Sequence, residues 1–317
     1  MEKTLSKLAV IVPCYNEAHV IEVSHKRIQG VLASLPNPSE IIFVNDGSTD
    51  GTREVLDRLA QDDPHAKVIH LSRNFGHQPA ITAGVNHCDA DLAVILDADM
   101  QDPPELIPEM MALREREAAN VVYCVRTCRP GESRLKILTS RWFYRFLNSM
   151  SEVQFPLDTG DFRLIDRKIM NQFNEFKEQT KYIRGLISWM GFRQVPLYYE
   201  RAARLGDHSK YSFRKMIRFA STALFYFSKR PLKLAAGLGF VAILVALVLT
   251  IWFVLGKFYG FSNAEGGWTS LMIAILFFGG IQLLTVGLLG QYVGVLFDEI
   301  KARPEYIIDE TRNFPED

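Results

Sequence analysis

The 317-residue sequence predicts an α/β domain with a mostly parallel sheet, followed by two membrane-crossing helices. Three observations carry this. Short apolar runs at Leu8–Val12, Ile41–Val44, Val68–Leu71 and Leu92–Leu96 alternate with helical stretches, the pattern of βαβ units. The last of these runs delivers the chain to Asp97-Ala98-Asp99-Met100-Gln101-Asp102-Pro103-Pro104, where the prolines stop any strand. Beyond residue 233 lie two long uncharged apolar runs. Hydrophobic residues make up 48% of the chain, and 36 Lys and Arg balance 36 Asp and Glu, so no global field selects nucleic acid or an acidic partner. Cys14, Cys88, Cys124 and Cys128 are scattered without zinc-like pairing and read as reduced thiols. Met1–Leu8 lacks the apolar core of a signal peptide, and no repeat or low-complexity segment is present.

In order, Leu8–Val12, closed by Pro13, is a buried strand, and Glu17–Leu35 has apolar residues at near-helical spacing. Ile41–Val44 is a second strand, followed by Asn45-Asp46-Gly47-Ser48-Thr49-Asp50-Gly51-Thr52, in which Ser48 or Asp50 is expected to cap a helix through Leu59. Val68–Leu71 is a third strand, Gln78–Cys88 a helix and Leu92–Leu96 a fourth strand. Ligands in such sheets bind beyond the carboxyl ends of the strands, so Glu17, Asp46 and the Asp97/Asp99 pair are expected at one edge. Pro104–Glu117 is a helix with Pro104 in its first turn, Val121–Val125 a strand, and the basic, aromatic Ser133–Met150 a helix. Asp166 is expected to cap a helix to about Phe176, Tyr182–Met190 is a further helix, and Gln194–Tyr199 a strand.

After Glu200 the composition shifts. Nine basic residues between Arg201 and Lys233 face one acid, Asp207, and Phe213–Phe227 interleaves cations with aromatic and aliphatic residues, as in a helix lying in a membrane interface. Leu234–Gly256 has no charge and, at ~1.5 Å rise per residue, can cross a hydrocarbon core of ~30 Å. Trp268–Phe297 is likewise uncharged. Lys229, Arg230 and Lys233 before the pair and Lys301 and Arg303 after it put both termini in the cytoplasm. Gly290 and Gly294 form a G-x-x-x-G that either packs the hairpin or joins subunits into a homo-oligomer. The expected division is residues 1–200 as catalytic domain, 201–231 as basic juxtamembrane segment, 232–298 as two spans (about 232–256 and 268–297), and 299–317 as cytoplasmic tail.

Two carboxylates one residue apart, Asp97 and Asp99, at the end of a buried strand are costly to hold without a cation. If the extended geometry persists, Asp97 and Asp99 share one side, and such hard oxygen ligands suit Mg2+ or Mn2+ shared with substrate phosphates. The alternative is a polar loop capping the next helix.

Five motifs in order resemble the family 2 glycosyltransferases of GT-A fold, and within them the polyisoprenyl-phosphate glycosyltransferases. Val12-Pro13-Cys14-Tyr15-Asn16-Glu17 is similar to the opening motif, and Asn45-Asp46-Gly47-Ser48 to the D-D-G-S element with Asn45 in place of the first Asp. Asp97-Ala98-Asp99-Met100-Gln101-Asp102-Pro103-Pro104-Glu105 resembles D-A-D-x-Q-D-P-P-E, and Gly160-Asp161-Phe162-Arg163-Leu164 the acceptor-side motif. Arg204-Leu205-Gly206-Asp207-His208-Ser209-Lys210-Tyr211 resembles R-x-x-G-x-S-K-Y with one extra residue. The Q-x-x-R-W of processive synthases is absent, since Leu138 stands where Gln would precede Arg141-Trp142.

The resemblance implies a metal-dependent, inverting transfer of a hexose, glucose favoured, from a nucleotide diphosphate sugar to polyprenyl phosphate at a bacterial inner membrane. It implies that Pro13, Tyr15, Glu17, Asp46, Asp97 and Ala98 contact the nucleotide sugar, and that Asp97, Asp99 and Gln101 serve Mg2+ or Mn2+. Asn45 favours uridine over guanosine. Arg163, Arg204 and Lys210 would hold the acceptor phosphate. Asp161 or Asp158 is the family-style general base, with Arg163 beside it. A phosphate monoester has a second pKa of ~6, however, so such a nucleophile arrives charged and needs little base help. Asp161 then serves to orient Arg163 or a sugar hydroxyl. Two other readings stay open: transfer to a neutral lipid hydroxyl, which needs a true base, and a non-catalytic membrane-anchored sugar-nucleotide scaffold.

Overall fold

All seven residues of β1 (Leu8–Cys14) are buried, which is why this stretch reads as a continuous apolar run and not as an alternating one: both faces of the strand are covered. The computed structural model describes residues 5–127, 159–179, 181–200, 230–259 and 267–315. After β1 come α1 (Ile21–Ala33), β2 (Ser39–Asn45), α2 (Thr52–Asp62), β3 (Ala66–Leu71), α3 (His77–Asn86) and β4 (Leu92–Ile95). A 3-10 turn at Pro104–Leu106 leads into α4 (Ile107–Glu117), then β5 (Val121–Arg126), β6 (Thr159–Asp166), α5 (Arg167–Glu175), α6 (Ile183–Trp189) and β7 (Gln194–Tyr199). α7 (Arg230–Tyr259) and α8 (Trp268–Ile300) precede a last strand, β8 (Ile308–Arg312).

The eight strands form one sheet in the order β7-β5-β6-β4-β1-β2-β3-β8. β3, β2, β1 and β4 run parallel. The chain steps outward from β1 to β2 and β3, then returns to the other side of β1 as β4. The crevice beyond β1 and β4 is therefore the topological switch point, where ligands bind in open α/β sheets. β6 runs antiparallel between β4 and β5, and β8 antiparallel along β3.

The helices cover the sheet closely. α1 buries Ile21, Ser24, His25, Ile28 and Leu32, a stripe at helical spacing. α3 lies so close to the strands that a Cβ added at Gly84 would sit 2.3 Å from Ile11 Cγ2 and 3.2 Å from Val44 Cγ2. Asp166 caps α5 as expected, its Oδ1 accepting from the Ile169 amide at 3.0 Å.

Four local expectations need correction. α2 is preceded by Gly51 with no side-chain cap; Ser48 Oγ instead accepts from the Asn16 amide, while Asp50 Oδ1 accepts from the Thr52 amide and hydroxyl. The extended geometry ends before the Asp97/Asp99 pair is complete: residues 98–100 turn, with Met100 at φ 55°. β6 was not foreseen, because its charged residues resemble a loop. Residues 299–317, expected as a cytoplasmic tail with no strand assigned, carry β8, which pairs with the sheet.

The chain divides into two units, one holding β1–β8 with α1–α6 and the other holding α7 and α8. Within the second, α7 and α8 pack together. Leu232–Leu249 and Ala274–Ile300, with mean hydropathy 2.5 and 1.7, are long and apolar enough to cross a membrane. Among the described residues, a Cβ at Gly279, Gly280, Gly287, Gly290 or Gly294 would meet nothing within 4 Å. Cys14, Cys88 and Cys124 are free thiols, and Cys128 lies outside the described residues.

Gly84→Val would force α3 off β1. We expect ~1–3 kcal/mol of destabilisation, read as a lower melting temperature; an unchanged melt would contradict the close packing.

Candidate active site

The loops after β1 and β2 are laced into one body. The Asn16 amide donates to Ser48 Oγ at 3.0 Å, Asn16 Oδ1 accepts from the Thr49 amide at 2.8 Å, and the Glu17 amide donates to Thr52 Oγ1 at 2.9 Å. Asn16 tolerates its left-handed φ of 56° as asparagine often does. Gly47 is obligatory on two counts: φ is 61°, and a Cβ would lie 2.2 Å from the Arg73 carbonyl carbon. Pro13 is buried within β1, whereas Tyr15 is 46% exposed at the strand's carboxyl end, with Glu17 half-buried beside it.

Asp46 is buried and already engaged. Its Oδ1 accepts from the Phe75 amide at 2.7 Å and its Oδ2 from the Gly76 amide at 2.9 Å. It thereby holds the segment entering α3 at a helix N-terminus, where negative charge is favoured. Burial nevertheless pushes its pKa up, outweighing the two amide bonds and the charges of His77 and Arg73. Each carboxylate oxygen keeps a second lone pair for a ligand. Asn45 is buried as well, pairing with His70 Nδ1 at 3.0 Å and accepting from the Ser48 amide at 3.0 Å. Its side chain braces the loop.

Beyond β4, Asp97 and Asp99 are partly exposed while Ala98, Met100 and Gln101 are buried. The Ala98 carbonyl accepts from Ser24 Oγ at 2.7 Å, and Asp99 Oδ1 accepts from the Gln101 amide at 3.1 Å, which fixes the turn. Among the described residues, Asp97 Oδ1 is buried without a hydrogen-bond partner, and His77 Nε2 stands 3.5 Å from it. Burial raises Asp97 to about 6; His77 opposes this, while Asp161, Asp102 and Asp99 add to it. An orphaned carboxylate oxygen among crowded acids fits a hard divalent cation. Among the described residues no three His, Cys, Asp or Glu side chains form a ligand set, so an ion here would complete its shell from a substrate diphosphate.

Asp161, on β6, is 4% exposed. Arg184 on α6 grips it bidentately, Nε to Oδ1 at 2.7 Å and Nη2 to Oδ2 at 3.0 Å, and His77 Nε2 lies 3.1 Å from Oδ2. Burial disfavours the charge, but Arg184 and the hydrogen bond with His77 win and hold Asp161 well below the usual carboxylate range. Burial also works against the His77 imidazolium, but the bond to Asp161 and the charges of Asp97 and Asp161 raise it above its ordinary value. Arg163, two residues along the same face of β6, is also 4% exposed. It donates to the Gly160 carbonyl at 3.1 Å, its Nε has no hydrogen-bond partner among the described residues, and burial lowers its pKa to about 10. Asp102 is fully buried and accepts from Tyr199 Oη at 2.5 Å and Arg126 Nη2 at 3.4 Å.

Glu17, Asp46, Asp97 and Asp99 thus lie on loops at one sheet edge, with Asp161 joined to Asp97 through His77. Asp158, Arg204 and Lys210 lie outside the described residues. His77, Arg184, Arg126 and Tyr199 were missed in the sequence, where they belong to no motif. The one available signal was arithmetical: four acids converging on one edge need cations.

Residues 9–173 match the model of the family described as Glycosyl transferase family 2, and the chain belongs to that family. It is 41% identical over 310 residues to the uncharacterized glycosyltransferase YkcC of Bacillus subtilis (strain 168), covering 96% of this chain and 93% of that one. It is 33% identical over 305 residues to the SfII prophage-derived bactoprenol glucosyl transferase of Shigella flexneri, covering 96% and 98%. In fold it is similar to the mannosyltransferase PcManGT from Pyrobaculum calidifontis, solved in complex with GDP-Man and Mn2+, with TM-score 0.52 at 17% identity over 94% of this chain and 87% of that one. The domain is GT-A-like, as the motifs implied.

Arg184→Met strands the buried Asp161 charge. We expect a loss of about 3 kcal/mol, seen as a lower melting temperature; an unchanged melt would show that the pair is not holding α6 to β6.

Proposed function

We propose that the protein transfers glucose, with inversion, from UDP-glucose to the phosphate of a polyprenol at a membrane surface. The observation that carries this reading is the state of Asp161: buried, gripped by Arg184 and His77, and held ionised far below neutrality. Such a carboxylate is a poor general base, whereas a neutral hydroxyl acceptor would require a good one. A phosphate acceptor arrives already charged. The bactoprenol glucosyl transferase of Shigella flexneri, alike along almost its whole length, supports both the sugar and the lipid carrier.

In this reading Pro13, Tyr15, Glu17 and Asp46 form the nucleotide cradle, the Asp46 carboxylate offering its remaining lone pairs to ribose or base while fixing the loop that carries Phe75 and Gly76. Asp97 and Asp99, with Ala98 and Gln101 shaping the turn, would hold Mg2+ or Mn2+, which when bound supplies Lewis-acid stabilisation to the leaving diphosphate. Asp161 sets the position of Arg184 and His77 at the reacting end, with Asp158 three residues before it in the sequence. Arg163, Arg204 and Lys210 are assigned to the acceptor phosphate by charge-assisted hydrogen bonds. Attack opposite the diphosphate gives inversion.

The two apolar helices support a membrane location for the enzyme, with 201–231 as the basic segment entering it. β8, which follows α8, pairs with β3, which precedes α7. That connection supports an even number of crossings, and the basic flanks support a cytoplasmic side for the catalytic domain and both termini. The open glycine face of α8 supports a homo-oligomer through the membrane helices. A scaffold that only binds sugar nucleotides would have no use for the acid cluster.

Three measurements test this. Membranes given labelled UDP-glucose and polyprenyl phosphate should yield labelled lipid, and a chelator should abolish it; no transfer from any of a panel of nucleotide sugars would sink the enzymatic reading. Asp99→Ala should remove the metal dependence of donor binding; affinity unchanged with and without metal would refute the site. Since Asp161 is held well below the usual carboxylate range, kcat/KM should rise with pH through the acceptor's second pKa of ~6, where Asp97 also titrates, and not through Asp161. That limb should survive in Asp161→Asn, and its disappearance there would make Asp161 the base.

A further inference from the structure

The segment after α8 does more than extend the sheet. The Ser72 amide donates to the Ile307 carbonyl at 2.9 Å, and Asn86 Nδ2 to Tyr306 Oη at 2.9 Å, which tie it beside α3. Beyond them Arg53 reaches Asp309 at 2.8 Å and Glu310 at 2.7 Å, Arg312 reaches Asp57 at 2.9 Å, and Asn313 Nδ2 donates to the carbonyls of Ala60 and Ala66. These contacts are peripheral. Glu305 is different. Its side chain is 9% exposed, with Oε2 3.7 Å from Lys181 Nζ, itself 8% exposed, and Oε1 3.1 Å from Thr82 Oγ1.

Both partners lead to the acid cluster. Lys181 lies two residues before the start of α6, the helix that carries Arg184. Thr82 Oγ1 is also 2.9 Å from the Gln78 carbonyl, one turn back on α3. The Gln78 side chain then joins two elements: Oε1 accepts from the Ile183 amide at 3.0 Å, and Nε2 lies 3.4 Å from Asp161 Oδ2. The first turn of α6 is thus held through Lys181 on one side and through Gln78 on the other; Glu305 touches the first directly and reaches the second through Thr82. We propose that Glu305 is a positioning residue for sugar transfer, setting through Lys181 and Thr82 where α6 presents Arg184 to Asp161.

The groups around Glu305 fit this role. A hydroxyl has one proton, so Thr82 cannot donate to Glu305 and to Gln78 at once. Burial raises Glu305 to about 7, against the pull of Lys181 and Thr82, so its protonated form is available to donate to Thr82 while Thr82 donates to Gln78. Without the carboxylate, the buried Lys181 ammonium would keep the face of the Phe173 ring, 5.1 Å from its centroid. That contact does not oppose a shift of the chain toward solvent.

The proposal rests on the transferase reading, and the assay separates the two. With the full-length protein in detergent, UDP-glucose and polyprenyl phosphate, Glu305→Ala should lower kcat about tenfold while donor KM stays within about twofold, as for other residues that orient a reacting group. Glu305→Gln, which still bonds Thr82 and can accept from Lys181, should restore most of the rate. Hydrogen exchange should quicken at the α6 amides in Glu305→Ala while the β8 amides stay protected. A wild-type kcat in Glu305→Ala would overturn the proposal, as would α6 and β8 losing protection together, because the residue would then only anchor the tail. Should Glu305→Ala fail to fold, Glu305→Leu with Lys181→Met removes both buried charges at similar volume. A folded double variant with full kcat would also overturn the proposal. If the wild type transfers nothing, the functional reading fails, and α6 exchange alone still decides whether Glu305 positions that helix.

Discussion

Four carboxylates, Asp97, Asp99, Asp102 and Asp161, crowd one edge of a buried sheet, and the site depends on how their repulsion is met. Three protein cations do part of this work. Arg184 takes Asp161 bidentately, His77 stands between Asp161 and Asp97, and Arg126 with Tyr199 holds Asp102. The outcome is uneven. Asp161 is held firmly ionised, while Asp97 is left with a pKa of about 6 and a buried oxygen that, among the described residues, has no hydrogen-bond partner and only His77 at 3.5 Å. A carboxylate satisfied by protein cations is suited to fixing geometry. One left unsatisfied is suited to receiving a cation from outside.

That division follows from the fold. The return of β4 to the far side of β1 opens the crevice in which Asp97 and Asp99 sit. Inserting β6 antiparallel beside β4 brings Asp161 and Arg163 to the same edge, opposite Ile95 in the case of Arg163. Arg184 must then come from α6, and α6 is itself supported by α3 and by the chain's last segment. The acid cluster is therefore built from residues spread between β1 and the tail, and its geometry is a property of the whole domain.

Much of this was legible in the sequence. Continuous apolar runs marked β1 to β4, and the polar stretches after β1, β2 and β4 marked the ligand edge. The two uncharged runs marked α7 and α8. β6 was not legible, because a strand with Asp161, Arg163 and Asp166 at buried positions violates the apolar pattern, and its charge partners lie on other elements. β8 was hidden for the opposite reason. Ile-Asp-Glu-Thr-Arg alternates half-buried with exposed positions on an edge that nature keeps charged, so it carries no apolar run to betray it. His77 and Arg184 are single residues whose meaning appears only when their carboxylates converge.

The central claim is that the nucleophile comes to this site already charged, so the enzyme needs no base at Asp161. Offering the purified protein polyprenyl phosphate and the corresponding free polyprenol, each with labelled UDP-glucose and Mn2+, tests that claim most directly. Labelled product should form from the phosphate alone. Comparable transfer to the free alcohol would contradict it.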